Sequence, residues 1–134
     1  MNARSSVRPA IPADAPRVRA IVDAAYDVYI SRIGDKPGPM LDNYPGRIAR
    51  GQVWVLDDGT DLIGVLVLEE TASGFLLDNI AVAPDRQGNG HGRILLEFAE
   101  QEAARRGWRD IQLYTNTAMV ENIALYQQQF SLWR

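Results

Sequence analysis

The sequence predicts a mixed α/β domain with a mostly antiparallel sheet flanked by helices. Three observations lead there. Apolar strand-like runs at 52–56, 62–68 and 75–82 succeed one another with short turn signals between them. Helical periodicity lies before this block and again after it. A glycine-rich loop joins the third run to the best amphipathic helix, and a further apolar run comes after it, which makes the last two strands parallel through a right-handed crossover.

Taken in order, Ser6 to Pro9 is a short first strand. Pro12-Ala13-Asp14 opens a helix, with Asp14 and Pro16 suited to its first turn and Val18, Ile21, Val22 and Ala25 at helical spacing. Ile33 to Pro39 holds two glycines and two prolines and reads as a loop between helices. Met40 to Arg50 is a second helix. Gln52 to Leu56 is a strand, Asp57-Asp58-Gly59 a hairpin turn, and Leu62 to Leu68 the partner strand, apolar throughout and so buried on both faces. Thr71 to Gly74 turns the chain into Phe75 to Val82. Asn89 to Arg106 is a helix with Leu95, Phe98, Ala99 and Ala103 on one face, stopped by Gly107. Ile111 to Thr115 is a strand and Val120 to Gln128 a last helix.

The bulk properties exclude several classes of function. The 134 residues fit one domain, 46% apolar and 23% charged, enough for a core. A net charge of -3 offers no basic surface for a phosphate backbone, so nucleic acid is not expected as a partner. There is no cysteine and one histidine, which excludes thiolate nucleophiles, disulfides and multi-His metal sites. No apolar run reaches the roughly 20 residues of a bilayer span, and Met1 to Arg8 lacks the apolar stretch of a secretion signal. A cytoplasmic domain without a membrane or a metal is the expectation.

The segment richest in chemistry is Asp85-Arg86-Gln87-Gly88-Asn89-Gly90-His91-Gly92-Arg93. Glycines at alternate positions let a ligand approach the backbone. The first N–H groups of a helix lack internal partners and carry partial positive charge. Together these suit a pyrophosphate, with Arg86 and Arg93 available for further phosphate contacts. A P-loop would need Gly-Lys-Ser/Thr where Gly92-Arg93-Ile94 stands, and a dinucleotide fold would need a third glycine where Arg93 stands. A tight turn with no ligand is the plain structural alternative.

Gln87-x-x-Gly90-x-Gly92 resembles the Q/R-x-x-G-x-G/A signature of the GNAT (GCN5-related) N-acetyltransferases, and the run from Asp78 to Arg93 resembles that family's fourth strand, loop and following helix. The order of elements agrees from Ser6 onward, so the resemblance covers nearly the whole chain. It implies acetyl-CoA as acyl donor and direct attack by an amine of a small molecule or peptide. It places the pyrophosphate on Gln87, Gly88, Asn89, Gly90, His91, Gly92 and Arg93, and pairs the pantetheine arm with Ile80, Ala81 and Val82, which also read as plain core strand. Glu121 to Tyr126 resembles the family's N-x-A-L-Y segment. The resemblance gives Tyr126 the role of proton donor to the leaving thiolate and Asn122 a pantetheine contact; a packing tyrosine and a helix-surface asparagine are the alternatives.

Direct transfer needs a route for the amine proton. Asp78 and Glu69, on adjacent strands, are the candidates, against a reading of both as exposed strand carboxylates. Tyr26, Tyr29, Arg32 and Tyr44 lie in the segment that lines the acceptor site in this family, and they read equally well as packing or solvated residues. His91 stands at the phosphate end, away from the thioester, and is not expected to act as base.

Two departures matter. The family's Tyr-x-x-x-Gly-Phe continues here as Tyr126-Gln127-Gln128-Gln129-Phe130, and the usual C-terminal hairpin is missing. The edge beside 111–115 is then expected to be covered by a second copy, giving a homodimer, or by the segment Phe130 to Arg134 in a monomer. These departures also admit a second functional reading, that of a non-catalytic or degenerate CoA-binding or regulatory module.

Overall fold

The computed structural model describes residues 6–27, 40 and 42–113. They form a five-stranded sheet in the order β1-β2-β3-β4-β5: β1 Ser6–Pro9, β2 Val53–Asp57, β3 Leu62–Thr71, β4 Gly74–Val82 and β5 Gln112–Leu113. The pairs β1–β2, β2–β3 and β3–β4 are antiparallel, and β4–β5 is parallel. Three helices accompany the sheet: α1 Ala15–Tyr26, α2 Tyr44–Ala49 and α3 His91–Arg105. The expected helix at 120–128, with Asn122 and Tyr126, lies outside the described residues, as do Tyr29, Arg32 and the segment on which the homodimer expectation rests.

Alternation along the strands builds two cores. Val53 and Val55 of β2, Val65 and Val67 of β3 and Ala81 of β4 pack with Val18, Ile21, Val22 and Tyr26 of α1 and Tyr44 and Ile48 of α2. Trp54, Leu56, Leu66, Leu68, Leu77 and Ile80 face Leu95, Leu96, Ala99 and Ala103 of α3. The middle of the sheet is thus covered on both faces, which explains why Leu62 to Leu68 reads as an unbroken apolar run. Gly64 lets α3 sit close to the sheet: a Cβ there would lie 2.9 Å from Leu95 Cδ1, which would have to move.

Several elements differ in length from their sequence patterns, for local reasons. α2 is shorter than 40–50 because Asn43, with non-helical backbone, caps it by accepting from the Gly46 N–H at 3.1 Å, and Gly51 ends it at φ +71°. α3 begins at His91 rather than Asn89 because Gly90 stands at φ +83°, outside the helical region. The turn between β3 and β4 uses only Ala72 and Ser73, so the strands run further together, to Thr71 and Gly74. Gly107 at φ +87° closes α3 as its pattern predicts.

The central pair of strands carries one irregularity. β3 and β4 change register between Val67 and Leu68: Val67 pairs with Asn79 and Leu68 with Leu77, which leaves Asp78 as the extra residue of a β-bulge in β4.

Candidate functional site

The loop leaving β4 is built by backbone. Pro84–Arg86 makes one 3-10 turn, Gln87 is extended, and Gly88 and Gly90 hold φ of +87° and +83°. Both conformations are strained for any residue with a Cβ. The first helical bond runs from the Ile94 N–H to the Gly90 carbonyl, so the N–H groups of His91, Gly92 and Arg93 have no carbonyl inside the helix. They open toward the same end as exposed Gln87 to Gly90. The Gln87 side chain donates to the Val82 carbonyl at 3.1 Å and ties the loop back to the end of β4. Arg93 is exposed on the first turn of α3, and His91 Nδ1 is buried with no hydrogen-bond partner among the described residues. Arg86, expected beside a phosphate, instead pairs with Asp58 of the β2–β3 turn at 3.2 Å.

Next to the loop, Ile80, Ala81 and Val82 pair with Leu66, Val65 and Gly64 of β3 on one edge. On the other edge β4 pairs with β5 only at Leu76 and Leu77 among the described residues. The Ile80 carbonyl already accepts the Tyr26 hydroxyl at 3.2 Å.

The bulge brings two consecutive polar side chains into contact with the α1/α2 layer. Asn79, 1% exposed, accepts the Tyr26 hydroxyl at 2.6 Å and donates to the Tyr44 hydroxyl at 3.1 Å. Burial pushes the Tyr44 phenol up from its ordinary range. Tyr26 and Tyr44 are core residues that share Asn79, which agrees with the packing alternative for them. Asp78, with a side chain 13% exposed, lies 3.5 Å from Arg47 of α2. The same guanidinium pairs with Asp42, reaches Glu69 at 3.3 Å and donates to Gln52 Oε1 at 3.0 Å. Asp78 is thus not an exposed strand carboxylate, whereas Glu69 is 36% exposed. Burial pushes the Asp78 carboxyl up, Arg47 opposes it, and Asp42 and Glu69 add to the upward push.

The sequence reading missed Arg47 and Asn79. Asn79 had a signal, since an amide inside an apolar strand must find buried partners. Arg47 had none, because its partners stand as far as 31 positions away in the chain (Arg47 to Asp78).

A family model for the acetyltransferase (GNAT) domain matches residues 49–129, more than half of the chain and including the whole loop. The chain belongs to the GNAT acetyltransferase family. A curated relative, the uncharacterized N-acetyltransferase YvbK of Bacillus subtilis (strain 168), is 29% identical over 107 residues, spanning 79% of this chain and 66% of that protein. Among solved structures, the IAA acetyltransferase of Bacillus cereus ATCC 14579 is 26% identical, covers 92% of this chain and 74% of its own, and superposes with a TM-score of 0.69. The PaiA N-acetyltransferase of Thermoplasma acidophilum, solved with coenzyme A, has the same fold at 16% identity, covering 92% of this chain and 87% of its own with a TM-score of 0.74. The GNAT family is one of acyltransferases, so the mixed sheet and the glycine loop stand in the context the sequence pattern led one to expect. Among the described residues no helix is long and apolar enough to cross a membrane, and no group of three or more His, Asp or Glu could hold a metal ion.

Proposed function

We propose that this chain transfers the acetyl group of acetyl-CoA directly to an amine of a small molecule or peptide. The observation that carries the reading is the junction of β4 and α3. Two glycines in the left-handed region lead into three helix N–H groups with no carbonyl inside the helix, beside the end of β4. The first feature fits a pyrophosphate and the second an amide-bearing arm that adds to the sheet as a strand would. In this reading Gln87, Gly88, Asn89, Gly90, His91, Gly92 and Arg93 form the phosphate cradle. Ile80, Ala81 and Val82 flank the pantetheine, with the Ile80 carbonyl sharing its second lone pair. Asn122 belongs to the same arm of the site.

The chemistry then needs no enzyme nucleophile. The amine nitrogen attacks the thioester carbonyl, the new C–N bond forms and the C–S bond breaks. Asp78, directly or through one water, takes the amine proton, and Tyr126 gives its phenolic proton to the departing thiolate. Both groups recover their starting charge through solvent. Asp78 suits this task because burial raises the basicity of its carboxylate while Arg47, 3.5 Å away, opposes that rise. Acetyl-CoA as donor agrees with a cytoplasmic setting.

Release of free CoA thiol, followed with DTNB, tests the reading. Acetyl-CoA is offered with spermidine, tyramine, an aminoglycoside and a short peptide with a free amino terminus. Thiol release that depends on one of these amines supports acetyl transfer. Tight acetyl-CoA binding with no release from any amine would instead support a CoA-binding module without catalysis.

A further inference from the structure

We infer that Arg47 is a positioning residue for this reaction: shared among Asp42, Glu69 and Asp78, its guanidinium holds the Asp78 carboxylate in the β4 bulge with one oxygen turned toward the acceptor amine. The inference rests on the reading of Asp78 as proton acceptor.

The geometry is that of one cation facing three carboxylates. Arg47 projects from α2, its side chain is 13% exposed, and its nitrogens are divided: Nε pairs with Asp42, Nη1 reaches Gln52 and Glu69, and Nη2 lies 3.5 Å from Asp78 Oδ2. A planar fork with five donors can serve such a set at once, whereas an ammonium is a single point charge. α2 is itself held in place. Arg19 of α1 donates to the carbonyls of Met40 and Asp42, and Asn43 caps the helix. The bulge presents Asp78 to α2 rather than leaving it in the sheet register. Among the described residues, the titratable and charged groups around Asp78 are Arg47 from α2, Asp42 from the turn before it and Glu69 from β3; the phenols of Tyr26 and Tyr44 bond to its neighbour Asn79.

This arrangement exceeds what stability requires. A stabilising arginine needs one partner, and among the described residues this one faces three carboxylates. Burial, Asp42 and Glu69 favour the neutral acid, and Arg47 opposes them. Losing Arg47 therefore raises the pH at which Asp78 can accept a proton, and losing Glu69 lowers it.

The test compares pH profiles of kcat/KM, with acetyl-CoA and the amine that turns over fastest in the panel, for the native chain and for Arg47→Gln, Arg47→Lys, Glu69→Gln and Asp78→Asn. A carbon-13 titration of the Asp78 carboxyl accompanies them. The acidic limb should move up by about one pH unit in Arg47→Gln, return toward the native position in Arg47→Lys, and move down in Glu69→Gln, with the carboxyl titration following each. A folded Arg47→Gln whose rate falls equally at every pH overturns the role of Arg47. If Arg47→Gln does not fold, the half-exposed Glu69→Gln decides, and a limb that stays or moves up overturns it. An Asp78→Asn variant that keeps the acidic limb overturns the assignment of Asp78 as well; loss of that limb, with Arg47→Gln unmoved, overturns Arg47 alone.

Discussion

β4 carries two candidate sites made of different materials. Its exit, from Ala83 to Arg93, is a site of backbone: φ values of two glycines, unpaired N–H groups and one side-chain tie from Gln87 to Val82. Its bulge, a few residues upstream, is a site of side chains: Asp78 and Asn79 gather Arg47, Asp42, Glu69, Tyr26 and Tyr44 from other parts of the chain. The first depends on conformations that only glycine adopts cheaply. The second depends on charge balance and on complete hydrogen bonding in a dry interior, where losing one member leaves another unsatisfied. Changes at the exit should therefore act on donor binding, and changes at the bulge on rate and stability.

The largest separation is expected from Asp78→Asn. If this carboxylate takes the amine proton, kcat should fall by roughly 10²-fold or more, with acetyl-CoA affinity unchanged, as steady-state rates and a binding isotherm would show. A fall in affinity in place of rate would break the division between the two sites. At the neighbouring position, Asn79→Leu leaves the Tyr26 and Tyr44 hydroxyls without their shared amide, so unfolding in urea should show a loss of about 2 kcal/mol.

At the exit, Gly92→Val should weaken acetyl-CoA binding at least tenfold, about 1.4 kcal/mol. Gly92 is helical and not among the glycines of positive φ, so the backbone survives the change. Gly90→Val is a less clean probe, because φ +83° adds a strain of roughly 1–2 kcal/mol to any loss of affinity.

The smallest effect is expected at the ion pair of β1 with the turn before α1. Asp14 is held below the usual carboxylate range, chiefly by its hydrogen bond to Arg8 at 2.9 Å. Its contribution to stability is present above the ordinary carboxyl pKa and is lost as pH falls through the depressed native value. Asp14→Asn should thus lower stability at pH 7 by less than about 1 kcal/mol and converge with the native chain in acid, while leaving binding and rate alone.

The same contrast explains what could be read from residue order alone. Strand alternation, the apolar run of β3 and the glycine loop are local patterns, and the antiparallel meander of β2 to β4 and the parallel β4–β5 pair could be inferred from them. The start of α3 was misplaced by two residues because periodicity does not reveal that Gly90 is left-handed. The bulge was not legible, since a register shift depends on both strands at once. With it went the burial of Asp78, the network through Asn79 that joins Tyr26 to Tyr44, and the reach of Arg47. Arg86 suited a phosphate by its position, and only the fold brings Asp58 to it.

The central claim is that the exit of β4 cradles the pyrophosphate of acetyl-CoA, and ligand-dependent melting tests it most directly. Native chain and Gly92→Val are heated with acetyl-CoA, ATP or NAD at equal concentration. Acetyl-CoA at about 100 times Kd should stabilise the native chain by about 2.7 kcal/mol, ATP and NAD should do so far less, and the acetyl-CoA effect should shrink in Gly92→Val. Equal stabilisation by ATP, or an acetyl-CoA effect untouched by Gly92→Val, would contradict it.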